Sequence, residues 1–434
     1  MGRRKNERFL YCHMNDQFVG TLKSRMNSLS FCYSDSWLNS KFRRPISVSM
    51  PLTDQEYSDD AVSSYFDNLL PDSAEVRKYI VNRLGAESTR PFDLLATVGK
   101  DCIGALTFLT SPEPHLVPDV QITPLSEAQV GQHIANSRMG KTLGMQGDDT
   151  FRFSLAGAQE KTALTYWHGT WGVPVGPTPT THILKPRILT RPGEPDLSSS
   201  VENEWFCMRV IKALGLPVAE TKIDSFNGED VLIVERFDRK TFGNKIYRLP
   251  QEDLCQALGV AGASKYEEHG GPGAKDIMGI LSTSTASVKD QDTFMSAQVL
   301  YWLFAAIDGH AKNFSLALKH RGYCLTPLYD VLSAHGFAQV GNLHPKKIKM
   351  AMAVNSKNRH YHWHTIFPRH WAQHAKSVGY DVERMSFIIE SMTSKFEACL
   401  DIASEEATAI STRAEQVAES IRNGALKALE RFDV

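Results

Sequence analysis

The sequence predicts an α+β chain of two lobes with an added N-terminal subdomain. Three observations carry that expectation. Short β-like pieces and one helical stretch fill roughly the first 110 residues, a β-rich run with one embedded helix follows from Phe151, and from Pro250 onward the pattern turns mostly helical. The divisions expected from these shifts are 1–148 for the subdomain, 149–245 for the β-rich lobe and 246–434 for the helical lobe. A β-rich piece joined to a helical piece leaves a cleft between them where a ligand can sit.

The elements follow in order. "ISVSMPL" and "CIGALTFL" read as strands, and "DAVSSYFDNLLPDSAEVRKYIVNRLG" reads as one helix. "SPEPHLVPDV" (111–120), with three prolines, is a loop or boundary. "FRFSLAGAQEKTALTYWHGTWGVP" reads as a strand, a Gly/Ala turn, then a hairpin whose return carries aromatic and β-branched residues. "TTHILKP" (180–186) and "VLIVERFD" (231–238) are further strands. Between them "SVENEWFCMRVIKALGL" is a helix, with Ser200 as N-cap and Gly215 as its C-terminal stop. The last helix carries Val417, Ile421, Leu426, Leu429 and Phe432 as one apolar stripe that packs on the body.

Composition narrows the class. A chain of 434 residues has room for two to four domains and a large core. Its 42% apolar and 22% charged residues are ordinary for a globular protein, and a net charge of −1 offers no global field for nucleic acid. The seven cysteines are odd in number, scattered and never spaced C-x-x-C, which points to reduced thiols in a cytosolic protein. The longest strongly apolar run, "AQVLYWLFAAI" (297–307), is far short of the ~20 residues a membrane span needs. "MGRRKNERFL" lacks a following hydrophobic region, and Asn6 stands where myristoylation wants Ser or Thr. A soluble, cytoplasmic protein is expected, without membrane contact.

The chemistry is concentrated in "AAIDGHAKNFSLALKHRGYCLTPLYD" (305–330). Asp308 and Asn313 have the D-x-x-x-x-N spacing of a protein-kinase catalytic loop, where Asp accepts the hydroxyl proton and Asn holds magnesium. Asp330 follows where a second metal-holding carboxylate belongs; hard Mg²⁺ takes oxygen ligands. The bland alternative is that Asp308 caps a turn and Asn313 bonds its own backbone. Upstream, Lys185 lies in "HILKP" and precedes a helix carrying Glu202 and Glu204, the pattern of a phosphate-contacting Lys steadied by a helix Glu. A solvent-facing strand lysine is the alternative there. "SLAGAQEKT" (154–162) is a turn of small residues that lets backbone N–H groups approach phosphates, although it is neither Walker A nor G-x-G-x-x-G. Glu235, Arg236 and Phe237 end the later strand, where a hinge would offer backbone groups to adenine. The order matches a kinase throughout.

These segments also resemble a known family. "FSLAGAQEKTAL", "TTHILKP", "VENEW", "VERFDR", "RLPQEDLCQALG", "DGHAKNFSL" and "LTPLYDVLSA" are similar to the HipA family of serine/threonine kinases, toxins of bacterial toxin–antitoxin pairs. "FCYSDSWL", "FDNLLPDS" and "GALTFL" extend the resemblance over nearly the whole chain. It implies a two-lobed protein-kinase-like fold with an added N-terminal domain, ATP and Mg²⁺, and a HipB-type helix-turn-helix antitoxin that binds operator DNA. By resemblance Asp308 is the catalytic base, Asn313 and Asp330 are metal ligands, and Lys185 contacts ATP phosphates. Leu155, Ala156, Gly157, Ala158, Gln159 and Glu160 form the phosphate loop, Glu235 and Phe237 border the adenine with Arg236 between them, and Tyr329 precedes the metal aspartate. His310, Ala311 and Lys312 lie in the catalytic loop near the γ-phosphate, and Ser154 occupies the autophosphorylation position. The family's characterised protein substrate is glutamyl-tRNA synthetase, so a translation-related acceptor is implied.

Two further segments have more than one reading. "HYHWH" (360–364) puts His360, His362 and His364 on one face if extended, a metal trio; an exposed aromatic loop is the reading preferred, because no Cys or paired acid completes a site. "HPKKIKM" (344–350) reads as a solvated basic edge, with a DNA contact as the minority reading. Two rival functions stand beside the kinase toxin: a catalytically weak co-repressor that binds antitoxin and DNA, and a small-molecule phosphotransferase on the same scaffold.

Overall fold

The computed structural model describes residues 7–26, 28–58, 60–113, 116–138, 159–189, 196–340 and 345–432. The N-terminal domain opens with β1 (Arg8–Met14), β2 (Gln17–Arg25) and β3 (Ser28–Tyr33), continues through α1 (Asp35–Leu38), α2 (Asp60–Asn68), α3 (Ala74–Leu84) and α4 (Pro91–Val98), and closes with β4 (Leu106–Leu109). Its antiparallel sheet has the order β3-β2-β1-β4. The single helix expected over this stretch is two. Pro71 cannot donate to a helical ladder, and the Ser73 hydroxyl accepts from Val76 N at 3.3 Å, so the chain stops at Asn68 and restarts with a fresh cap.

The second sheet has the order β5-β7-β6-β8-β10-β9 and is antiparallel throughout. Its parts are β5 (Ile122–Pro124), α5 (Glu127–Arg138), β6 (Thr162–Trp167), β7 (Thr170–Pro174), β8 (His182–Pro186), α6 (Ser200–Ala213), β9 (Thr221–Phe226) and β10 (Glu229–Glu235). The hairpin turn between β6 and β7 is His168-Gly169, both at positive φ, the conformation that matches strand twist in a two-residue loop. The β5 strand and α5 pack on this sheet although they precede residue 149. Side chains alternate faces with period two. Val231 and Ile233 therefore join the core shared with the N-terminal domain, while Leu232 and Val234 join the core shared with the helical lobe.

The α6 helix starts one residue earlier than its capping pattern implies. Ser199 is the N-cap residue, and Ser200 lies inside the helix, its hydroxyl accepting from Ile188 N at 2.9 Å and so tying the exit of β8 to the helix. Gly215 follows the helix at φ +84°, as its stop requires.

A small hairpin, β11 (Arg239–Phe242) with β12 (Lys245–Arg248), leads into the C-lobe. That lobe is helical in bulk, with α7 (Leu254–Ala257), α8 (Ala274–Leu281), α9 (Ser287–Leu303), α10 (Arg369–Ser377), α11 (Val382–Ile410) and α12 (Thr412–Leu429). It is not helical throughout. β13 (Gln251–Asp253), β14 (Ser315–Leu318) and β15 (Tyr323–Leu325) form one sheet, and β16 (Lys349–Asn355) pairs with β17 (Arg359–His362). "HYHWH" is thus strand and turn rather than an open aromatic loop: Trp363 donates its indole N–H to Trp302 O at 2.6 Å, and His360 stacks on His370 with ring centroids 4.2 Å apart. Among the described residues no cluster of three His, Cys, Asp or Glu could hold a metal, and no helix is long and apolar enough to cross a membrane. Lys349 of the basic run pairs with Glu268 at 2.7 Å. All seven cysteines are free.

Three buried arginines bind the first domain to the second. Arg236, Arg239 and Arg248 surround Asp101 at 3.5, 3.0 and 3.2 Å, and the first two also reach Asp238 at 2.8 and 3.0 Å. Thr180 donates both its hydroxyl (2.6 Å) and its amide (3.0 Å) to Asp101, and Gly104 N donates to Asp238 at 2.7 Å. Buried charge persists only when it is paired in this way.

Candidate active site

Strand register decides where Lys185 points. It lies opposite Leu232 on β10, and cross-strand partners share a face, so the lysine joins the side that meets α6 and the helical lobe. The solvent-facing alternative is excluded, because Lys185 is 6% exposed. Its ammonium meets both oxygens of Glu204, at 2.8 and 3.0 Å, and Asp330 Oδ1 at 2.5 Å. Glu202 does something else. Two helical residues apart means about 200° around the axis, and Glu202 accordingly grips Arg187 with both oxygens. Burial works against the Lys185 ammonium, but the charges of Asp330 and Glu204 outweigh it and hold its pKa above the usual lysine value. Burial likewise works against the Asp330 carboxylate, yet Lys185 and then Lys161 draw it down to about 2.

The backbone around Asp330 is fixed from below. Leu328 exchanges hydrogen bonds with Pro217 O and Ala219 N, both at 2.9 Å, just after α6. The Tyr329 hydroxyl lies 2.6 Å from that of Ser315 and donates to Lys312 O at 2.9 Å. Asp330 itself sits at φ +62°, a left-handed conformation that a non-glycine residue adopts under constraint and that recurs at functional sites.

The 305–313 segment leaves α9 and turns at Asp308. Asp308 O accepts from His310 N at 2.8 Å and from Asn313 Nδ2 at 2.5 Å. That amide bond needs nitrogen on the carbonyl side, which turns the Asn313 oxygen outward. Gly309 is required by close approach, since a Cβ there would stand 2.4 Å from the Tyr301 ring. His310 is buried, its Nε2 lies 3.6 Å from Asp308 Oδ1, and it also feels the charge of Asp330, which links the two carboxylates through one ring. Burial lowers its pKa, with the Asp308 charge acting in the opposite sense. The Ala311 methyl belongs to the core. Lys312 Nζ is held by Asp72 of the N-terminal domain at 2.9 Å.

Of the residues expected to form a hinge, Glu235 is exposed at the end of β10, and the Phe237 ring lies 5.8 Å from that of Tyr329. The Arg236 guanidinium is committed to the buried arginine cluster, which leaves only its backbone for the expected hinge role. Gln159 Nε2 reaches Pro186 O at 3.4 Å, beside the end of β8, and Glu160 is half-buried. Ser154, Leu155, Ala156, Gly157 and Ala158 lie outside the described residues.

Sequence reasoning missed three groups. Lys161, directly after the small-residue turn, sits in the field of Lys185, Asp330 and Glu204; burial and then Lys185 push its ammonium down to about 8. The Tyr266 hydroxyl donates to Asp308 Oδ1 at 2.5 Å. Asp72 holds Lys312 and, at 3.1 Å, Lys265. Only Lys161, next to the turn, left a local signal.

The donor set suits a magnesium nucleotide. Mg²⁺ takes one or two protein oxygens and leaves its remaining positions to water and phosphate. A carboxylate kept ionised, bonded to the buried Lys185 ammonium and drawn down further by Lys161, meets one half of that requirement, and the Asn313 amide, bonded to Asp308 O through its nitrogen, offers its oxygen as a second ligand.

Known proteins resemble this chain over most of its length. The HipA-like C-terminal domain family matches residues 153–400, and the HipA N-terminal domain family matches residues 10–109. A Sinorhizobium fredii protein whose name marks it as a kinase is 35% identical over 341 residues, 77% of this chain and 78% of that one. The serine/threonine-protein kinase toxin HipA of Shewanella oneidensis is 31% identical over 339 residues, 75% of each chain. A solved HipA, from the Shewanella oneidensis complex of HipA, HipB and operator DNA, superposes with a TM-score of 0.81 at 23% identity, covering 97% of each chain. That likeness establishes the two-lobed kinase-like fold with its added N-terminal domain, and the matched families, with the relatives above 30% identity, show that the chain belongs to the HipA family.

Proposed function

We propose that the chain is an ATP- and Mg²⁺-dependent serine/threonine protein kinase, the toxin of a toxin–antitoxin pair. The observation that carries this reading is Lys185 bonded at once to Glu204 of α6 and to Asp330 of the segment after β15. A strand lysine, a helix glutamate and a metal aspartate converging on one point are the parts a kinase must have in place. ATP, when bound, supplies the phosphoryl group, and Mg²⁺ offsets its charge. Lys185 and Lys161 would hold the phosphates, Asp330 and Asn313 would ligate the metal, and Glu235 and Phe237 would border the adenine. Asp308 takes the proton from the acceptor hydroxyl as that oxygen bonds to the γ-phosphorus and the bond from phosphorus to the β,γ-bridging oxygen breaks, releasing ADP.

The acceptor we favour is a translation-related protein, with glutamyl-tRNA synthetase the first to try. Ser154 is the proposed autophosphorylation site, ahead of the 155–160 loop that would cradle the phosphates. A HipB-like helix-turn-helix antitoxin, and operator DNA reached mainly through it, are the proposed partners; the Shewanella oneidensis complex supports them. The test is incubation of purified protein with γ-labelled ATP and Mg²⁺, alone and with glutamyl-tRNA synthetase. Label on serine supports the reading. No label on either protein, from a chain that binds ATP, would remove it.

A further inference from the structure

Tyr266 lies in the loop between α7 and α8 and donates its hydroxyl to Asp308 Oδ1 at 2.5 Å. A hydroxyl on a catalytic carboxylate has two readings: a plug that an acceptor must expel, or a fixed support. The loop's own anchors decide between them. Asn68 of α2 donates to Val260 O at 3.0 Å, and Asp72 pairs with Lys265 at 3.1 Å, so the N-terminal domain holds the loop at two points. On the other side Glu267 accepts from Ala353 N at 2.7 Å, and Glu268 pairs with Lys349 at 2.7 Å, so β16 holds it at two more. Gly262 is pressed against Asn68, where a Cβ would come within 2.6 Å of the amide oxygen, and Gly271 folds back onto Ser264 O, where a Cβ would come within 2.0 Å. The Tyr266 ring also meets the edge of the His310 ring, with centroids 5.0 Å apart. A tyrosine clamped on both sides is not a lid.

We propose that Tyr266 is a positioning residue: it fixes one oxygen of Asp308 so that the other faces the acceptor hydroxyl, and the N-terminal domain holds it there through the Asp72–Lys265 pair. The added domain thereby becomes part of the catalytic apparatus rather than a docking appendage. This rests on the kinase reading above. Misplacing a reacting group by about an ångström costs up to roughly 100-fold in rate, and losing one orienting bond is expected to cost roughly 10-fold of that.

The experiment is a double-mutant cycle with Tyr266→Phe and Lys265→Met in the full chain. It reads the rate of label transfer from γ-labelled ATP to the chain and to casein, the dissociation constant for ATP, and hydrogen exchange of peptides spanning 306–316. Tyr266→Phe should lower kcat roughly 10-fold, leave ATP affinity unchanged and speed exchange at His310 and Asn313, whose amides bond within this loop. Lys265→Met should lower kcat in the wild-type background and have no further effect beside Tyr266→Phe. A Tyr266→Phe rate that is unchanged or raised, or effects that simply add, would overturn the proposal. If the wild type transfers no label, the kinase reading fails and the exchange arm decides alone, unchanged exchange overturning the positioning role.

Discussion

Lys185 Nζ is bonded by both oxygens of Glu204, whereas Glu202 on the same helix is occupied by Arg187. The two glutamates are therefore not interchangeable. Glu204→Gln removes one of the two carboxylates steadying Lys185, the lysine proposed to hold the ATP phosphates. A bond to a charged group is worth about 1.5–3 kcal/mol, so ATP affinity should fall roughly 10- to 100-fold. Glu202→Gln should leave ATP affinity near wild type and lower thermal stability instead. Calorimetric titration of both variants with a non-hydrolysable ATP analogue checks the contrast.

The Asp330 carboxylate is kept ionised at about 2 by Lys185 and Lys161 against its burial. Asp330→Ala should abolish the gain in ATP affinity that Mg²⁺ provides, because the remaining protein oxygen is a neutral amide. Titrations with Mg²⁺ and with EDTA measure it. The same magnesium-dependent gain in variant and wild type would contradict the ligand assignment.

Local spacing singled out Asp308, Asn313, Asp330 and Lys185, and the structure pairs Lys185 with Asp330 and Asn313 with Asp308. Choosing Glu204 over Glu202 needed the strand register that turns Lys185 toward α6. Tyr266 and Asp72 left no local trace: Tyr266 meets Asp308 42 residues away within the helical lobe, and Asp72 meets Lys312 240 residues away across a domain boundary. The strands β13 and β15 are three residues each, too short for alternation to register. The break at Pro71 was visible in the sequence but was outweighed by helical periodicity on both sides.

Asp101 is surrounded by Arg236, Arg239 and Arg248. Burial alone would raise its pKa, but Arg239, Arg236 and Arg248 outweigh that and hold the carboxyl well below the usual carboxylate range. A depressed folded pKa gives stability that is fully present above the unfolded value of about 3.9 and is lost only as pH falls below it. Asp101→Asn should therefore destabilise the chain at pH 7 by about 3–5 kcal/mol, because three guanidinium groups would keep a single buried carboxylate. Urea unfolding at pH 7 and again near pH 3 tests this; the gap between variant and wild type should narrow at the lower pH.

Phosphorylation of Ser154 would add about −1.5 to −2 charges beside the loop proposed to cradle the ATP phosphates. Phospho-Ser154 protein should bind an ATP analogue at least roughly 10-fold more weakly than the unmodified chain and transfer no phosphate. Separating the two forms by mass and titrating each decides it. Equal affinities would dismiss the switch even if the phosphate were found.

If Asp308 activates the acceptor while Lys185, Asp330 and Asn313 hold the nucleotide, Asp308→Asn separates the two tasks when assayed in parallel for ATP binding and for transfer of γ-labelled phosphate. ATP affinity should stay within about threefold of wild type and transfer should fall by roughly 100-fold or more. Undiminished transfer by that variant would contradict the role given to Asp308.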